Sequence, residues 1–426
     1  MFPILGREGP DVEKTMSNSA KLLVKLNWVK AGATGTFTLM PPLQRSVDKL
    51  CRIIENEMNA VGGLKVTMPS LATAGIWKKS GRYNDMGSEL LKLKDRNEAN
   101  LCLSPTHEET VTSLVQSLSP ISYKNLPIKL YQIGPKFRDE MRPKNALLRC
   151  REFLMKDLYS FDDNLENSLK TYKDLNKAYE NIFNRLNLDF FKVQADTGTM
   201  GGSSSHEYHI ESPIGEDTLI LCKNCGEAFN KELTVDDEYI KNCRKCGENV
   251  KIIKSIEIGH TFLLGTKYSE TFKANLITKE SKKSLIVMGC YGIGVTRLVS
   301  ACIEVLSSKN QLRLPELITP HQICIIPQRE GYKSDITLKQ SEDIAINLSQ
   351  LDNLKDYEVV LDDRLSLSIG QRIKEASNFG YTFGIVVGKS ALEENPKYEV
   401  IDFKNNEKKL MINEEITNLA KHIKTV

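Results

Sequence analysis

The chain has 426 residues, which is too long for one hydrophobic core and indicates two or three domains. Hydrophobic residues make up 40% and charged residues 27%, as in ordinary globular proteins, and no apolar run reaches membrane-spanning length, so we predict no membrane partner. The net charge of +3 is small, so any nucleic-acid binding requires local basic patches.

The N-terminal region begins with a weakly patterned stretch before residue 40, which we predict to be a peripheral extension. Its first thirty residues include three acidic residues, whereas mitochondrial transit peptides are usually poor in acid, so no clear targeting signal is recognised. From Leu43 to Met58 apolar residues recur at helical spacing, and residues 64–69 form a short strand. Amphipathicity alone does not separate a core from a subunit interface, so by themselves these elements favour a core helix and strand.

A hydroxyl and a carboxylate occur two residues apart at Thr106 and Glu108. In an extended segment they share one face and offer acceptors to an ammonium group. The alternative is a capping box, in which Thr106 caps a helix and Glu109 lies three residues further on. The two interpretations are compatible.

Residues 130–161 contain two extended runs that flank a basic turn, which predicts an antiparallel hairpin. A guanidinium, a carboxylate and a flat ring on adjoining strands suit a nucleotide, and Arg149 in the turn suits a polyphosphate. An exposed hairpin with a solvated charged face has the same residue types. Alternation places one mixed set on a common face: Arg138 and Glu140 on the first strand, and Arg151, Phe153, Met155, Asp157 and Tyr159 on the second.

Two further segments contain potential ligands. Residues 201–207 are too rich in glycine and serine for a plain strand or helix, and they present His206, although a lone histidine is more often structural. The four cysteines Cys222, Cys225, Cys243 and Cys246 form two Cys-x-x-Cys pairs with 17 residues between them. This spacing predicts a closed tetrahedral zinc site, in a reducing compartment.

The sequence Gly292-x-Gly294-x-x-Arg297 follows an apolar run and opens a predicted helix. It is similar to a dinucleotide-binding fingerprint, except that Arg297 replaces the third glycine. An arginine at that position obstructs close helix packing but can reach a phosphate. Cys290, just before this segment, is either a pocket residue or a small buried hydrophobe.

After a polar linker at residues 307–310, strands alternate with helices, which predicts a small α/β domain with a mostly parallel sheet. The predicted strands are 322–326, 358–361 and 384–387, and the predicted helices are 338–351 and 369–378.

These motifs carry a resemblance to a known family. Residues 137–153 resemble the second signature motif of class II aminoacyl-tRNA synthetases. The residues at the motif positions are similar to those of the bacterial-type prolyl-tRNA synthetases and their mitochondrial forms. The stretches 104–109, 201–207, 257–262 and 288–294 match that family in the same order. Residues 43–69 resemble the first motif, which builds the dimer interface in the family, and Arg297 resembles the arginine of the third.

The resemblance implies an α+β catalytic domain built on an antiparallel sheet in residues 40–315, after an extension at 1–39, with a ribbon-like insert of four cysteines at 222–246. Residues 316–426 would form an anticodon-binding-like α/β domain. The implied protein is a homodimer that attaches L-proline to a proline tRNA through prolyl-adenylate, using ATP with Mg²⁺. The resemblance favours the mitochondrial matrix, with the cytoplasm as the alternative.

Site roles follow from the same resemblance. For ATP, Arg138 would hold the α-phosphate, Glu140 and Phe153 the adenine, Arg149 and Arg297 the outer phosphates, with Gly292 and Gly294 beside them. Arg138, Glu140 and Arg297 are the predicted catalytic residues. The predicted proline pocket comprises Thr106, Glu108, Arg138, Met155, Tyr159, His206 and Cys290.

The sequence leaves several alternative functions open. Another class IIa synthetase, for threonine, histidine or glycine, shares most motifs, and a non-catalytic paralogue would bind nucleic acid only. The cysteine ribbon could itself be the functional part, as a zinc module. Relatives carry an inserted editing domain in this region, so the cysteines could also be its metal-free remnants. Seventeen residues are too few for such a domain, which predicts no hydrolysis of alanyl-tRNA.

Overall fold

The structure is a computed structural model that describes residues 16–118, 120–233, 242–243 and 245–426. It forms two compact units. The large unit contains Ala31–Phe37 and Ile53–Ala301, and the small unit contains Thr38–Arg52, Cys302–Val426 and the described part of Met1–Lys30. The three acidic residues on which the targeting prediction rests lie within residues 1–15, outside the described residues. No described helix has both the length and the apolar composition needed to cross a membrane.

The helices, in chain order, are α1 Asn18–Lys25, α2 Pro41–Ala60, α3 Ala74–Lys79, α4 Arg82–Asp85, α5 Glu108–Ser117, α6 Leu165–Arg185, α7 Lys267–Phe272, α8 Val295–Leu306, α9 Ser334–Ser349, α10 Ile369–Phe379 and α11 Asn413–Lys421.

The strands are β1 Val29–Ala31, β2 Phe37–Leu39, β3 Leu64–Lys65, β4 Leu71–Thr73, β5 Lys92–Lys94, β6 Asn100–Leu103, β7 Ile121–Ser122, β8 Ile128–Phe137, β9 Glu152–Asp162, β10 Phe191–Gln194, β11 Ser204–Glu211, β12 Asp217–Leu221, β13 Ala228–Asn230, β14 Lys251–Gly265, β15 Asn275–Ile277, β16 Lys283–Leu285, β17 Val287–Gly294, β18 Ile323–Pro327, β19 Val359–Leu361, β20 Phe383–Val387, β21 Tyr398–Asp402 and β22 Glu407–Met411.

The large unit is organised around a sheet with the order β11-β10-β13-β12-β14-β17-β9-β8-β3. Its centre, β14-β17-β9-β8, is antiparallel throughout, which confirms the predicted antiparallel sheet. Strand pairs β10–β13 and β3–β8 are parallel.

The predicted hairpin is formed by β8 and β9, which pair from Ile128 with Phe161 to Phe137 with Glu152. One detail of the prediction is wrong: Arg138 and Glu140 lie beyond the end of β8, in the connection. The Glu140 N–H donates to the Arg138 carbonyl at 2.7 Å, so the backbone bends where a longer strand was predicted.

The period of two along β9 assigns its side chains to two environments. Met155 and Asp157 border a cavity on one face. On the other face Lys156 contacts α6, where its ammonium donates to the Tyr179 hydroxyl at 2.7 Å. Burial lowers the pKa of Lys156 to about 7. The sheet therefore separates a site face from a face packed on α6.

The cavity face is supported by an apolar cluster. It includes Val111 and Val115 of α5, Phe161 of β9, Phe272 of α7 and Met288 of β17, all at most 5% exposed. Burying each such side chain contributes roughly 1.5–3 kcal/mol, which fixes the helices against the strands.

The small unit contains a five-stranded sheet in the order β19-β18-β20-β21-β22. The three predicted strands are present, and β18 pairs in parallel with β19 and β20. The prediction of a mostly parallel sheet is wrong, because β21 and β22 add two antiparallel pairings. The predicted helices correspond to α9 and α10, and apolar residues of α9 and α11 form one core with the sheet.

Candidate active site

A cavity of about 300 Å³ opens on the site face of the large unit. It lies between the β8–β9 connection, β14, β17 and the segment that leads into α5. The structure brings most of the sequence-predicted site residues together here, and those that line the cavity are Thr106, Arg138, Glu140, Arg149, Phe153, Met155, Cys290, Gly292, Gly294 and Arg297.

Three of the residues predicted to bind ATP or proline do not line the cavity. Glu108 and Tyr159 are fully buried directly behind Thr106. His206 lies on β11, where its Nδ1 is 2.7 Å from the Tyr172 hydroxyl. Burial lowers the pKa of His206 to about 4, so the ring is neutral near pH 7. The structure thus does not place His206 with the other predicted proline-pocket residues.

The segment that contains His206 is also more regular than predicted. The prediction that residues 201–207 form neither strand nor helix is wrong from Ser204 onward, because β11 begins there. His206 pairs with Gln194 of β10 and with Thr261 of β14. Pairing on both sides of β11 outweighs the loop-like composition.

One end of the cavity is cationic. Arg138 lies with its guanidinium 5.2 Å from the centre of the Phe153 ring, and its buried Nε has no hydrogen-bond partner among the described residues. Burial, and secondly the charge of Arg297, lowers the pKa of Arg138 from its usual value. Two arginines that repel each other across one cavity are suited to an anion between them.

The other charged groups at this end are paired. Arg297 donates to Glu257 at 3.1 Å and to the Leu148 carbonyl at 3.2 Å. Arg149 donates to Glu140 at 2.7 Å, and this hydrogen bond lowers the pKa of Glu140. Glu140 and Arg149, which were predicted to contact adenine and the outer phosphates, are therefore paired with each other.

The glycines of this region lie on β17 and not in a turn, since α8 follows directly at Val295. A Cβ at Gly292 would meet only the Met155 sulfur, at 3.8 Å, within ordinary contact distance. Gly292 therefore leaves free space beside the cavity wall.

The opposite end of the cavity is acidic. The Thr106 hydroxyl donates to Glu108 at 2.7 Å, and the Cys290 thiol donates to the other carboxylate oxygen at 3.0 Å. Burial opposes ionisation of Glu108, but Arg82 and these donors outweigh it and lower its pKa. Helix α5 starts at Glu108 without a side-chain cap, so the predicted capping box is not formed.

Arg82 is a site residue that the sequence reasoning missed. It is buried, lines the cavity, and donates to Glu108 at 3.0 Å and to Glu109 at 3.2 Å. Its guanidinium lies 5.1 Å from the centre of the Trp77 ring. No local pattern around Arg82 indicates this role, because its carboxylate partners lie 26 and 27 residues further along the chain.

Glu257, His260 and Phe262 also line the cavity without having been assigned a role. The His260 ring stacks on Phe262 with centroids 3.9 Å apart. The sequence did contain a signal, because residues 257–262 are one of the stretches that resemble the family. Asp157 borders the cavity as well, with Lys136 at 2.7 Å and the Tyr159 hydroxyl at 2.8 Å.

The four cysteines converge as predicted from their spacing, with all four sulfurs within 4.8 Å of one another. Cys222 and Cys246 are 3.5 Å apart, as are Cys225 and Cys243. Tetrahedral thiolates about 2.3 Å from zinc lie about 3.8 Å apart, so this donor set fits zinc. Residues 234–241 and 244, which belong to the same insert, lie outside the described residues.

Family models match most of the chain. The model "tRNA synthetase class II core domain (G, H, P, S and T)" matches residues 91–306, and "Anticodon binding domain" matches residues 322–424. With the antiparallel sheet and the cavity described above, these matches define the class: the chain belongs to the class II aminoacyl-tRNA synthetases.

Individual relatives narrow the assignment. A probable mitochondrial proline-tRNA ligase of Rattus norvegicus is 44% identical, over 93% of this chain and 83% of that protein. The proline-tRNA ligase of Ehrlichia chaffeensis is 38% identical, over 95% of both chains. Within its class, the chain belongs to the proline-tRNA ligases.

Solved structures agree on the fold. Prolyl-tRNA synthetase of Cryptosporidium parvum, complexed with L-proline and AMP, has a TM-score of 0.76 at 16% identity, covering 95% of this chain and 75% of that one. The Giardia lamblia enzyme in complex with prolyl-adenylate has a TM-score of 0.77 at 21% identity, covering 93% and 73%.

Proposed function

We propose that the protein activates L-proline with ATP to form prolyl-adenylate and pyrophosphate, and then esterifies the 3′-terminal adenosine of a proline tRNA. The observation that carries this proposal is the convergence of Arg138, Arg297 and Thr106 on one cavity, with Glu108 hydrogen-bonded directly behind Thr106. A cationic end for a triphosphate and an acidic end for an ammonium group are what the first step requires.

The activation step depends on positioning and electrostatics. An oxygen of the proline carboxylate attacks the α-phosphorus, the bond to the bridging oxygen breaks, and pyrophosphate leaves with the bond electrons. Arg138 compensates the charge on the α-phosphate, while Arg149 and Arg297 hold the outer phosphates. Phe153 packs on adenine. Glu140 releases Arg149 and accepts a hydrogen bond from the amino group of adenine.

Charge balance supports the amino-acid end of the proposal. Glu108 shares the cation of Arg82 with a second buried carboxylate, Glu109, so Arg82 alone does not fully compensate the charge of Glu108. The secondary ammonium of proline can supply further positive charge at Glu108 and Thr106. Met155 and Cys290 offer uncharged walls to the pyrrolidine ring, and Tyr159 holds the segment by accepting from the His107 N–H at 2.9 Å.

Mg²⁺ fits the phosphate end by donor type, since it prefers oxygen ligands and usually binds through one or two carboxylates plus phosphates. Glu257 borders the cavity, and Glu207 offers a further carboxylate oxygen within 4.8 Å. We propose Glu257 as the carboxylate that holds the ion, which would neutralise phosphate charge.

The direct test of this function is charging of proline tRNA by the purified protein. Radiolabelled proline should become acid-precipitable only with ATP and tRNA present. Labelled threonine, histidine and glycine should not, and charging by one of them would favour another class IIa synthetase. Failure to charge despite ATP binding would favour the non-catalytic paralogue.

Further assignments belong to the same proposal. Residues 316–426 would bind the anticodon arm, after a catalytic domain at 40–315 and an extension at 1–39. Helix α2 and strand β3, which resemble the first motif, would build a homodimer, and light scattering of the purified protein measures this. The proposed location is the mitochondrial matrix, as for the mitochondrial relatives, and fractionation of the source cell tests it.

The short Cys-to-Cys segment predicts that the enzyme does not correct alanine mischarging. Only 17 residues separate Cys225 from Cys243, which is too short for a separate hydrolytic domain. Alanyl-tRNA incubated with the protein should therefore lose alanine at the spontaneous rate seen in buffer. Deacylation well above that rate would contradict the prediction.

The cysteine cluster is predicted to bind structural zinc. Protein made under reducing conditions should contain about one zinc per chain by mass spectrometry. Cys246→Ser should lose the metal and lower the melting temperature, whereas the control Cys51→Ser, outside the cluster, should keep both. Wild-type protein that is folded but free of zinc would reject the site and favour metal-free remnants.

A further inference from the structure

The turn between β8 and β9 is held by a carboxylate from a different part of the sheet. Glu216 accepts from Lys144 Nζ at 2.6 Å and from an Arg149 guanidinium nitrogen at 2.8 Å. Lys144 and Arg149 face each other across the turn as an isolated β-bridge. One carboxylate therefore joins both cations of the turn.

This contact lies next to the proposed phosphate site. A side cavity of about 230 Å³ is lined by Lys144 and Glu216. It shares Arg149, Arg297 and Glu257 with the main cavity. Glu216 thus pairs with Lys144 and Arg149 on the side where the outer phosphates of ATP would extend.

The backbone beneath Glu216 is fixed. A Cβ on the preceding Gly215 would lie 2.1 Å from the Ser255 carbonyl oxygen, so only glycine allows this approach to β14. The Glu216 carbonyl accepts from Lys254 Nζ at 3.1 Å, also on β14. The sheet therefore presents the carboxylate to the turn from a constant position.

The ion pairs themselves are weak. The side chains of Lys144, Arg149 and Glu216 are 52%, 38% and 46% exposed, and exposed ion pairs contribute little in water. Carboxylates and phosphates use the same fork of guanidinium donors. A triphosphate can therefore displace Glu216 from Arg149.

We infer that Glu216 is a positioning residue for the nucleotide: it pairs with Lys144 and Arg149 and competes with the outer phosphates of ATP for them. The inference rests on the proposed function. It assigns to Glu216 an effect on the triphosphate end of the nucleotide and none on the adenosine end.

The test compares Glu216→Gln with a matched control. Glu211→Gln removes an equally exposed carboxylate, paired with Lys251 at 2.9 Å, that lines neither cavity. Calorimetry measures binding of a non-hydrolysable ATP analogue and of AMP. Glu216→Gln should bind the ATP analogue about two- to fivefold more tightly and AMP unchanged, the range that loss of exposed ion pairs allows. The control should change neither.

A second variant guards against indirect effects. Glu216→Asp keeps the charge but shortens the side chain. It should therefore increase the affinity for the ATP analogue, but by less than Glu216→Gln. Unchanged or weaker ATP-analogue binding by Glu216→Gln, or an equal gain for AMP, would overturn the role of Glu216. Wild-type protein that binds no ATP analogue would instead overturn the proposed function, and this inference with it.

Discussion

Arg138→Ala is expected to abolish proline-dependent ATP–pyrophosphate exchange while leaving the fold intact. Removing one preorganised charge at a reacting centre costs about 10²–10³ in rate, and Arg138 is the proposed partner of the α-phosphate. The fold should survive because the Nε of Arg138 has no hydrogen-bond partner among the described residues. Its loss also relieves repulsion with Arg297.

The measurement is the initial rate of exchange at saturating proline and ATP, together with the melting temperature. A matched control is Arg185→Ala on α6, which loses an ion pair with Glu57 and does not border the cavity. The control should exchange at the wild-type rate. Near-normal exchange by Arg138→Ala would contradict the assignment of this arginine.

Glu108→Gln should raise the KM for proline about 10- to 100-fold with little change in the KM for ATP. The substitution keeps the size of the side chain but removes the charge, and a hydrogen bond to a charged group contributes about 1.5–3 kcal/mol. The effect is confined to proline because Glu108 lies at the acidic end of the cavity, with Thr106 and Cys290.

Glu109→Gln is the matched control for this prediction. Glu109 is equally buried and also contacts Arg82, but it accepts from Ser80 at 2.7 Å and not from the cavity residues Thr106 and Cys290 that donate to Glu108. Burial, and secondly the neighbouring Glu108, raises the pKa of Glu109, so its charge matters less. The control should change the KM for proline far less than Glu108→Gln. Equal effects would mean that Glu108 acts through Arg82 and not on the substrate.

Those parts of the site that depend on local sequence pattern could be predicted. Alternation along β9 identified Phe153, Met155 and Asp157 as one face, and the structure places all three at the cavity. The position of Arg82 could not be predicted, since its ion pairs join α4 to Glu108 and Glu109 of α5, far along the chain. The contacts of His206 could not be predicted either, because the strands paired on both sides of β11 set its surroundings, and its role in the proline pocket stays a prediction.

In the small unit, too, only the elements with a clear local pattern could be predicted. Strands β18 and β20 are fully or largely buried, and their apolar runs were predicted within one or two residues. Strand β22 was missed because it is an exposed, charged edge strand, in which Lys408 pairs with Glu399 of β21 at 3.1 Å. Edge strands of this kind lack the apolar alternation that sequence reasoning depends on.

Amino-acid-dependent ATP–pyrophosphate exchange tests the central claim most directly, namely that one cavity holds ATP between Arg138 and Arg297 and proline at Glu108. The purified protein should incorporate labelled pyrophosphate into ATP when proline is present. It should do so negligibly with threonine, histidine, glycine or no amino acid. Exchange that is driven by one of those amino acids, or no exchange by folded protein with proline, would contradict the account.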